Sequence, residues 1–473
     1  MSCFIKKMRF DAEHIGVMSM ETKNIRDYLQ PGKRAHLVGI GGVSMASLAE
    51  VLHDAGVKVT GSDQKESATV WHLRDLNIPI TIGHLPENVK GADCIIRTAA
   101  VHDNNPEITA ARAAGIPVFE RAQTWGAIMQ KYKNAVCISG THGKTTTTSM
   151  CTHIFMAAQT DPTVMIGGTL PLLEACHRVG HGDTIILESC EYCNSFLSFF
   201  PTVAVVLNID EDHLDFFKDL DDIKHSFRKF MELVPSSGNI IINADDANAC
   251  SVAHGLDAFT FGLSDGADCT IKNVLEDMGR PEFDIYVHGE FYAHAALQVC
   301  GRHNISNALA AASAAYVLGI PGDAVEKGLS AFQGAGRRFE HKGNFNGAEL
   351  YDDYAHHPNE VRALLETAES LGYKRIICAF QPHTYSRTHE LFDDFVEILK
   401  RPDITILAEI FAAREDNELG ISSADLAVRI PNSIYCATLE EVEDKLRELA
   451  QPGDLLLTVG AGDIYLAGEA LLG

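Results

Sequence analysis

Short apolar runs alternate with segments of helical spacing along most of the chain. RAHLVGI (34–40) is a continuous apolar run of strand length. GVSMASLAEVLHDAG (42–56) repeats its apolar residues at helical intervals and stops at Gly56, and KVTGSD (58–63) is again short and strand-like. ADCIIRTAAV (92–101) and IPVFE (116–120) continue the alternation. Strands buried on both faces and separated by helices predict a parallel sheet. The rhythm restarts at NAVCISG (134–140), with strands over DTIILES (183–189), TVAVVLNI (202–209) and NIIINADD (239–246). A strand-rich stretch follows from DAFTFG to FYAHAALQV, then a long helix over HNISNALAAASAAYVLG (303–319). A third restart comes near GAGRRFE (334–340), with AELYDDYA, KRIICAFQ, DITILAEIF and GDLLLTVGAGD as strands. The pattern predicts three consecutive α/β domains over 21–130, 131–333 and 334–473. Residues 1–20 have no such pattern and are expected to be a disordered extension, with Met18 and Met20 as alternative starts.

Composition changes this picture little. With 46% apolar and 22% charged residues, the chain reads as soluble and globular. No apolar run is long enough to span a bilayer, and residues 1–20 lack the apolar core of a signal peptide. A formal charge of −25 argues against nucleic acid or an anionic membrane as partner. It leaves room for anionic small substrates held by local basic clusters. The 12 cysteines lie mostly in apolar surroundings, as in AVCIS and IICAF, which suits reduced core thiols in the cytoplasm. One close pair, Cys190 and Cys193, has the spacing of a redox couple or half a zinc site, but no second such pair follows.

Four stretches carry candidate chemistry. Gly39-Ile-Gly-Gly-Val-Ser44 joins a predicted strand to a predicted helix, where glycines admit a phosphate to the helix N-terminus, and Asp63 closes the next strand. The pattern is G-x-G-x-x-S, so a nucleotide diphosphate, NAD among the candidates, and a merely tight turn both remain open. Gly140-Thr-His-Gly143-Lys144-Thr145 retains the functional half of a phosphate loop, although position 138 is Ile. Backbone donors would cradle a β-phosphate, Lys144 would neutralise β and γ oxygens, and Thr145 would ligate Mg²⁺. Glu188 and His213 end neighbouring predicted strands, in reach of such a site. Asp352-Asp-Tyr-Ala-His-His-Pro358 and Phe380-Gln-Pro-His-Thr-Tyr-Ser-Arg387 follow strands of the third domain. They read either as a polar site or as two hydrophilic loops.

In order, SGTHGKTTTT, NIDEDHLD, GRHNISNALAA, GAGRRFE, DDYAHHP, FQPHTYSRT and VGAGDIY resemble the Mur ligase family, over essentially residues 33–473. The resemblance implies an N-terminal Rossmann-like domain for a UDP-sugar, a central P-loop mononucleotide-binding domain for ATP, and a C-terminal Rossmann-like domain for an amino acid. It implies an ATP-dependent ligase, acting in the cytoplasm in peptidoglycan precursor synthesis. Such an enzyme would join L-alanine to the lactyl carboxylate of UDP-N-acetylmuramate through an acyl phosphate, as a monomer or homodimer.

The implied UDP-sugar residues are Gly39, Gly41, Gly42, Val43, Ser44 and Asp63. Those for ATP are Gly140, Thr141, His142, Gly143, Lys144, Thr145 and Thr146, with His303, Asn304, Asn307, Arg337 and Asp352. Asp352 or Asp353 would stand at the junction of nucleotide and amino acid. Thr145, Glu188 and His213 look like the Mg²⁺ residues. Tyr354, His356 and Arg387 would meet the amino acid, and Lys144, Arg337 and His356 would act in catalysis. Two departures stand out. Glu188-Ser-Cys-Glu-Tyr-Cys193 replaces a more acidic E-A-D-E-S-D, and Thr384 stands where some relatives have Arg, which puts more weight on Arg387. A sibling that transfers a preformed peptide, a phosphotransferase or ATP-driven switch that makes no amide, and a NAD-dependent dehydrogenase with a regulatory ATPase are the competing expectations.

Overall fold

The computed structural model describes residues 25–473, except 99, 215, 278 and 414. The extension expected over 1–20 lies outside the described residues. The chain divides into two compact units. One takes in the described residues up to Lys133 with Ser198–Phe200, and the other takes in Asn134–Leu197 with Pro201–Gly473.

The first unit is built on five parallel strands, β1 (Arg34–Val38), β2 (Lys58–Asp63), β3 (Ile80–Ile82), β4 (Cys94–Arg97) and β5 (Val118–Glu120), in the order β3-β2-β1-β4-β5. The order reverses between β1 and β4, which opens a crevice above the end of β1, where the glycine loop leaves the sheet. The continuous apolar run of β1 is explained by helices on both faces: all of it beyond Arg34 is buried.

The second unit holds two sheets. The larger contains β6 (Asn134–Ser139), β7 (Thr163–Leu170), β8 (Ala175–Arg178), β9 (Thr184–Glu188), β10 (Val203–Val206), β11 (Asn239–Asn243), β12 (Ala258–Phe261), β13 (Cys269–Asp277), β14 (Arg280–Val287) and β15 (Glu290–Ala296). Their order is β15-β14-β13-β12-β11-β10-β6-β9-β7-β8, parallel in the middle, with antiparallel pairings β13–β14–β15 and β7–β8. β6 lies between β10 and β9, so the loops after these three strands open at one edge of the sheet.

Helices Lys144–Ala157, His303–Val317 and Gly322–Ala331 cover one core. The alanines of His303–Val317 let it approach closely: Ala308, Ala310, Ala311, Ala312, Ala314 and Ala315 are all fully buried. Gly328 is required by the same packing, because a Cβ there would lie 2.5 Å from Ile154 Cα.

The third sheet contains β16 (Glu340–Phe345), β17 (Ala348–Asp353), β18 (Ile376–Phe380), β19 (Ile404–Ala408), β20 (Ser433–Cys436) and β21 (Leu455–Val459), in the order β16-β17-β21-β18-β19-β20. It is parallel apart from the β16–β17 hairpin. Polar side chains follow the ends of β17 and β18, on neighbouring positions across β21.

Candidate active site

The loop after β6 is shaped by two glycines that no other residue would replace without strain: Gly140 at φ 146° and Gly143 at φ 83°. A Cβ at Gly143 would also meet Asn307 Oδ1 at 2.6 Å. Asn208, just past β10, fixes the loop from the side. Its Oδ1 accepts from His142 N–H at 2.8 Å, and its Nδ2 donates to the His142 carbonyl at 3.1 Å. Helix Lys144–Ala157 then begins directly behind Gly143, with no side-chain cap, so its first amide groups suit an anion.

Lys144 Nζ donates to the carbonyls of Gly140 (2.5 Å) and Thr141 (3.0 Å) and pairs with Glu191 at 3.1 Å. Glu191 is 2% exposed. Burial opposes the ammonium charge, but Glu191, Cys190 and Glu188 outweigh it and hold the Lys144 pKa above its ordinary value. Thr145 Oγ1 donates to Glu188 at 3.0 Å, and Gly167 N–H donates to the same carboxylate at 2.6 Å. His213 has left-handed backbone (φ 57°), lies 3.7 Å from Asp212 and packs against Tyr192 at 4.7 Å. Burial lowers its pKa below the ordinary imidazole value. Thr145 and Glu188 therefore form one hydrogen-bonded pair, and His213, in the loop after β10, lies within electrostatic reach of Lys144 and Glu191. Cys190 is a free thiol, and Cys193 is exposed.

A cavity of about 570 Å³ opens beside this loop, between the second and third sheets. His142, Gly143, Thr146, His303, Asn304 and Asn307 all line it, so residues 160 positions apart converge. The two asparagines are ordered as a chain: Thr147 Oγ1 and Asn307 Oδ1 lie 3.2 Å apart, and Asn307 Nδ2 donates to Asn304 Oδ1 at 3.0 Å. Arg280, Cys300, Arg338, Phe339, Tyr351 and Asp353 complete much of the wall, and of these the sequence motifs single out only Asp353. Asp353 accepts from Phe339 N–H and Ala355 N–H, both at 2.7 Å, and burial pushes its pKa up to about 6.

Arg337 turns away from that wall. Its Nε donates to Asp352 at 2.8 Å and its other nitrogens donate to the carbonyls of Gly460 and Gly462, while Tyr354 and Tyr465 flank the guanidinium. Asp352 is 1% exposed and also accepts from Thr458 Oγ1 at 2.7 Å. Arg338, the next residue, lines the cavity instead, as does Arg280.

A second polar cluster joins β10 to the loop after β18. Arg387 donates through Nε (3.1 Å) and a terminal nitrogen (2.8 Å) to Asp212 Oδ1. Both side chains are about nine-tenths buried. Burial opposes the Asp212 charge, but Arg387 overrides it and holds the carboxyl far below its ordinary range. His356 lies 5.8 Å from His383 and 5.6 Å from Tyr354, centroid to centroid, and burial lowers its pKa to about 4. Tyr354, His356 and Arg387 thus share one corner with Asp212 and His213.

In the first unit, Gly41 N–H donates to Asp63 Oδ2 at 2.8 Å, which ties the glycine loop to the end of β2. Gly39 has φ 79°, Gly42 is the N-cap of helix Val43–Asp54, and Val43 is exposed beside Ser44 at the helix start. Next to this loop lies a buried carboxylate the sequence reading missed. Glu107 accepts from Ser62 Oγ (2.6 Å) and Asn88 Nδ2 (2.5 Å) and lies 3.0 Å from His84 Nδ1.

Three family models cover the chain: the Mur ligase family catalytic domain over residues 34–133, the Mur ligase middle domain over 138–315, and the Mur ligase glutamate ligase domain over 337–462. Curated relatives include the UDP-N-acetylmuramate–L-alanine ligases of Clostridium novyi, 46% identical over 93% of this chain and 97% of the relative, and of Caldanaerobacter subterraneus, 44% identical over 94% and 98%. Among solved structures, the UDP-N-acetylmuramate-alanine ligase of Thermotoga maritima matches with a TM-score of 0.78 at 27% identity, over 93% of this chain and 98% of that one. A murein peptide ligase from Psychrobacter arcticus shares the fold with a TM-score of 0.71 at 23% identity, over the same shares of both chains. On its motifs, its three α/β sheets and these matches, the chain belongs to the Mur ligase family.

Proposed function

We propose that this chain joins L-alanine to the lactyl carboxylate of UDP-N-acetylmuramate, converting ATP to ADP and phosphate, and so supplies peptidoglycan precursors for wall growth in the cytoplasm. The observation that carries this reading is the convergence of the phosphate loop, the adjoining cavity and the Arg387 corner in one unit. Near-full-length identity to ligases of that name supports the choice of substrates. Among the described residues no helix is long and apolar enough to cross a membrane.

In this reading, residues 21–130 carry the UDP-sugar, through Gly39, Gly41, Gly42, Val43, Ser44 and Asp63. Residues 131–333 carry ATP. The loop amides and Lys144 hold its phosphates, and His303, Asn304 and Asn307 meet the base from the cavity. Residues 334–473 carry the amino acid, whose carboxylate Arg387 receives in exchange for Asp212. Thr145 and Glu188 offer the hard oxygen donors that suit Mg²⁺, with His213 as third partner. When bound, Mg²⁺ neutralises phosphate charge and orients the transferring group.

The lactyl carboxylate oxygen takes the γ-phosphoryl group of ATP, giving an acyl phosphate and ADP. The alanine amine attacks the acyl carbon, and inorganic phosphate leaves with the carboxylate oxygen. Lys144 offsets charge on the oxygens in transit. His356, held neutral by burial, stands beside the amino-acid corner as a group able to orient the amine. Arg337 acts through Asp352, fixing the end of β17 at Asp353 and the Tyr354 that follows it.

Mass analysis of the product formed from ATP, Mg²⁺, UDP-N-acetylmuramate and each amino acid in turn tests the reading. The L-alanine adduct is the expected product. An adduct formed only with a preformed peptide, or ADP released with no amide, would overturn it.

A further inference from the structure

Within the second unit, the phosphate loop meets helix Pro358–Ser370 through His142. His142 Nε2 lies 3.4 Å from Asp210 Oδ2 on the loop after β10, and its Nδ1 lies 3.2 Å from Glu360 Oε1. Glu360 belongs to the first turn of helix Pro358–Ser370, 218 residues further on. Both ring nitrogens therefore face carboxylates, and an imidazole can satisfy both only by donating twice, as the cation. The surroundings are built for this. Asn359 Nδ2 donates to the same Asp210 oxygen, and Glu360 Oε2 accepts from His356 N–H (3.1 Å) and His357 N–H (3.3 Å).

His357 packs against His142 at 4.9 Å but is engaged otherwise. Its Nε2 reaches the Glu211 carbonyl (3.0 Å), which makes Nδ1 the acceptor for Asn359 N–H (3.3 Å). One ring of the pair is charged and the other neutral. The same engagement argues against a divalent metal at His142, Asp210 and His357, whose ligand atoms lie within 4.8 Å of one another. His357 has no free nitrogen to offer, and His142 would have to give up one of its two carboxylates.

We propose that His142 is a positioning residue whose imidazolium pins the ATP-binding loop to the N-terminal turn of helix Pro358–Ser370, holding the amino-acid corner in register with the phosphate in transit. This rests on the ligase reading above and adds to it a residue that acts through loop geometry. Burial works against the charge, but Asp210 and Glu360 outweigh it and raise the His142 pKa to about 9. The folded value lies above the ordinary one, so the pin is fully present below about 6.5 and is lost as pH rises through about 9. The titratable groups facing the ring are Asp210, Glu360 and His357.

Two variants separate the pin from the helix cap. Glu360→Gln keeps a side chain able to cap the helix but removes its charge, and His142→Asn removes the cation. Each should lower kcat/KM for L-alanine by about tenfold, and the double variant should be no worse than either single one. Affinity for UDP-N-acetylmuramate should not change. The rate loss of the natural protein above about pH 9 should be missing from His142→Asn. A double-mutant cycle on thermal unfolding, run without substrates, reads the same coupling. It stands even if the natural protein forms no alanine amide, a result that would sink the ligase reading alone. Additive losses in both cycles, an unchanged alkaline limb in His142→Asn, or stoichiometric zinc binding abolished by that variant would each overturn the proposal.

Discussion

Lys144 and Glu191 show how one site residue depends on a partner the motif does not name. Lys144→Ala removes the phosphate-neutralising charge and also strands a carboxylate that is 2% exposed. The single variant should lose ADP release by at least about a hundredfold and should also lose about 3 kcal/mol of stability, because an unpaired buried charge remains. Adding Glu191→Gln should restore the melting temperature and leave activity low. Calorimetry and an ADP-release assay on both variants check the split. Arg387→Lys should raise KM for L-alanine by about tenfold or more, since an ammonium cannot reproduce the planar fork now aimed at Asp212. Steady-state kinetics with alanine as the varied substrate would read it. The consecutive loop residues were legible from sequence because spacing alone defines them. Glu191, Asp212 and Glu360 were not, since they arrive from 47, 175 and 218 residues away.

At the scale of elements, the apolar runs of β1, β6, β9, β10, β18 and β21 were legible because they are buried on both faces. The β7–β8 hairpin was not. β7 carries Gly167 and Gly168 in its exposed half, and β8, ACHR, is half-buried throughout. β16 and β20 were missed for a related reason: they are edge strands with mixed burial and no long apolar run. Helix contacts give a sharper test. Gly328→Ala would push a methyl group onto the Ile154 backbone, 2.5 Å away, and backbone cannot rotate aside. The substitution should destabilise the central core by about 1–3 kcal/mol, although alanine is the better helix former. A lowered melting temperature checks it, and an unchanged one would mean the two helices have room to part.

For the whole molecule, burial of histidines sets a lower pH limit. His153, packed edge-on against Phe332, and His356 both have pKa values lowered to about 4 by burial. The folded values lie below the ordinary 6.5, so their stabilising contribution is complete above 6.5 and is lost as pH falls toward about 4. Melting temperature should therefore fall between about pH 6.5 and about pH 4, and His153→Phe should flatten that slope. Three α/β repeats were legible from the restart of one rhythm at the second and third sheets. The meeting of the second and third sheets around one cavity was not, because its walls come from loops, where the hydrophobic pattern is silent.

In this mechanism ATP activates the sugar carboxylate by phosphorylating it. The most direct measurement supplies UDP-N-acetylmuramate whose lactyl carboxylate carries a heavy oxygen isotope, with ATP, Mg²⁺ and L-alanine, and weighs the phosphate released. The label should appear in inorganic phosphate, carried there when the acyl phosphate breaks. Amide formation with unlabelled phosphate would contradict it.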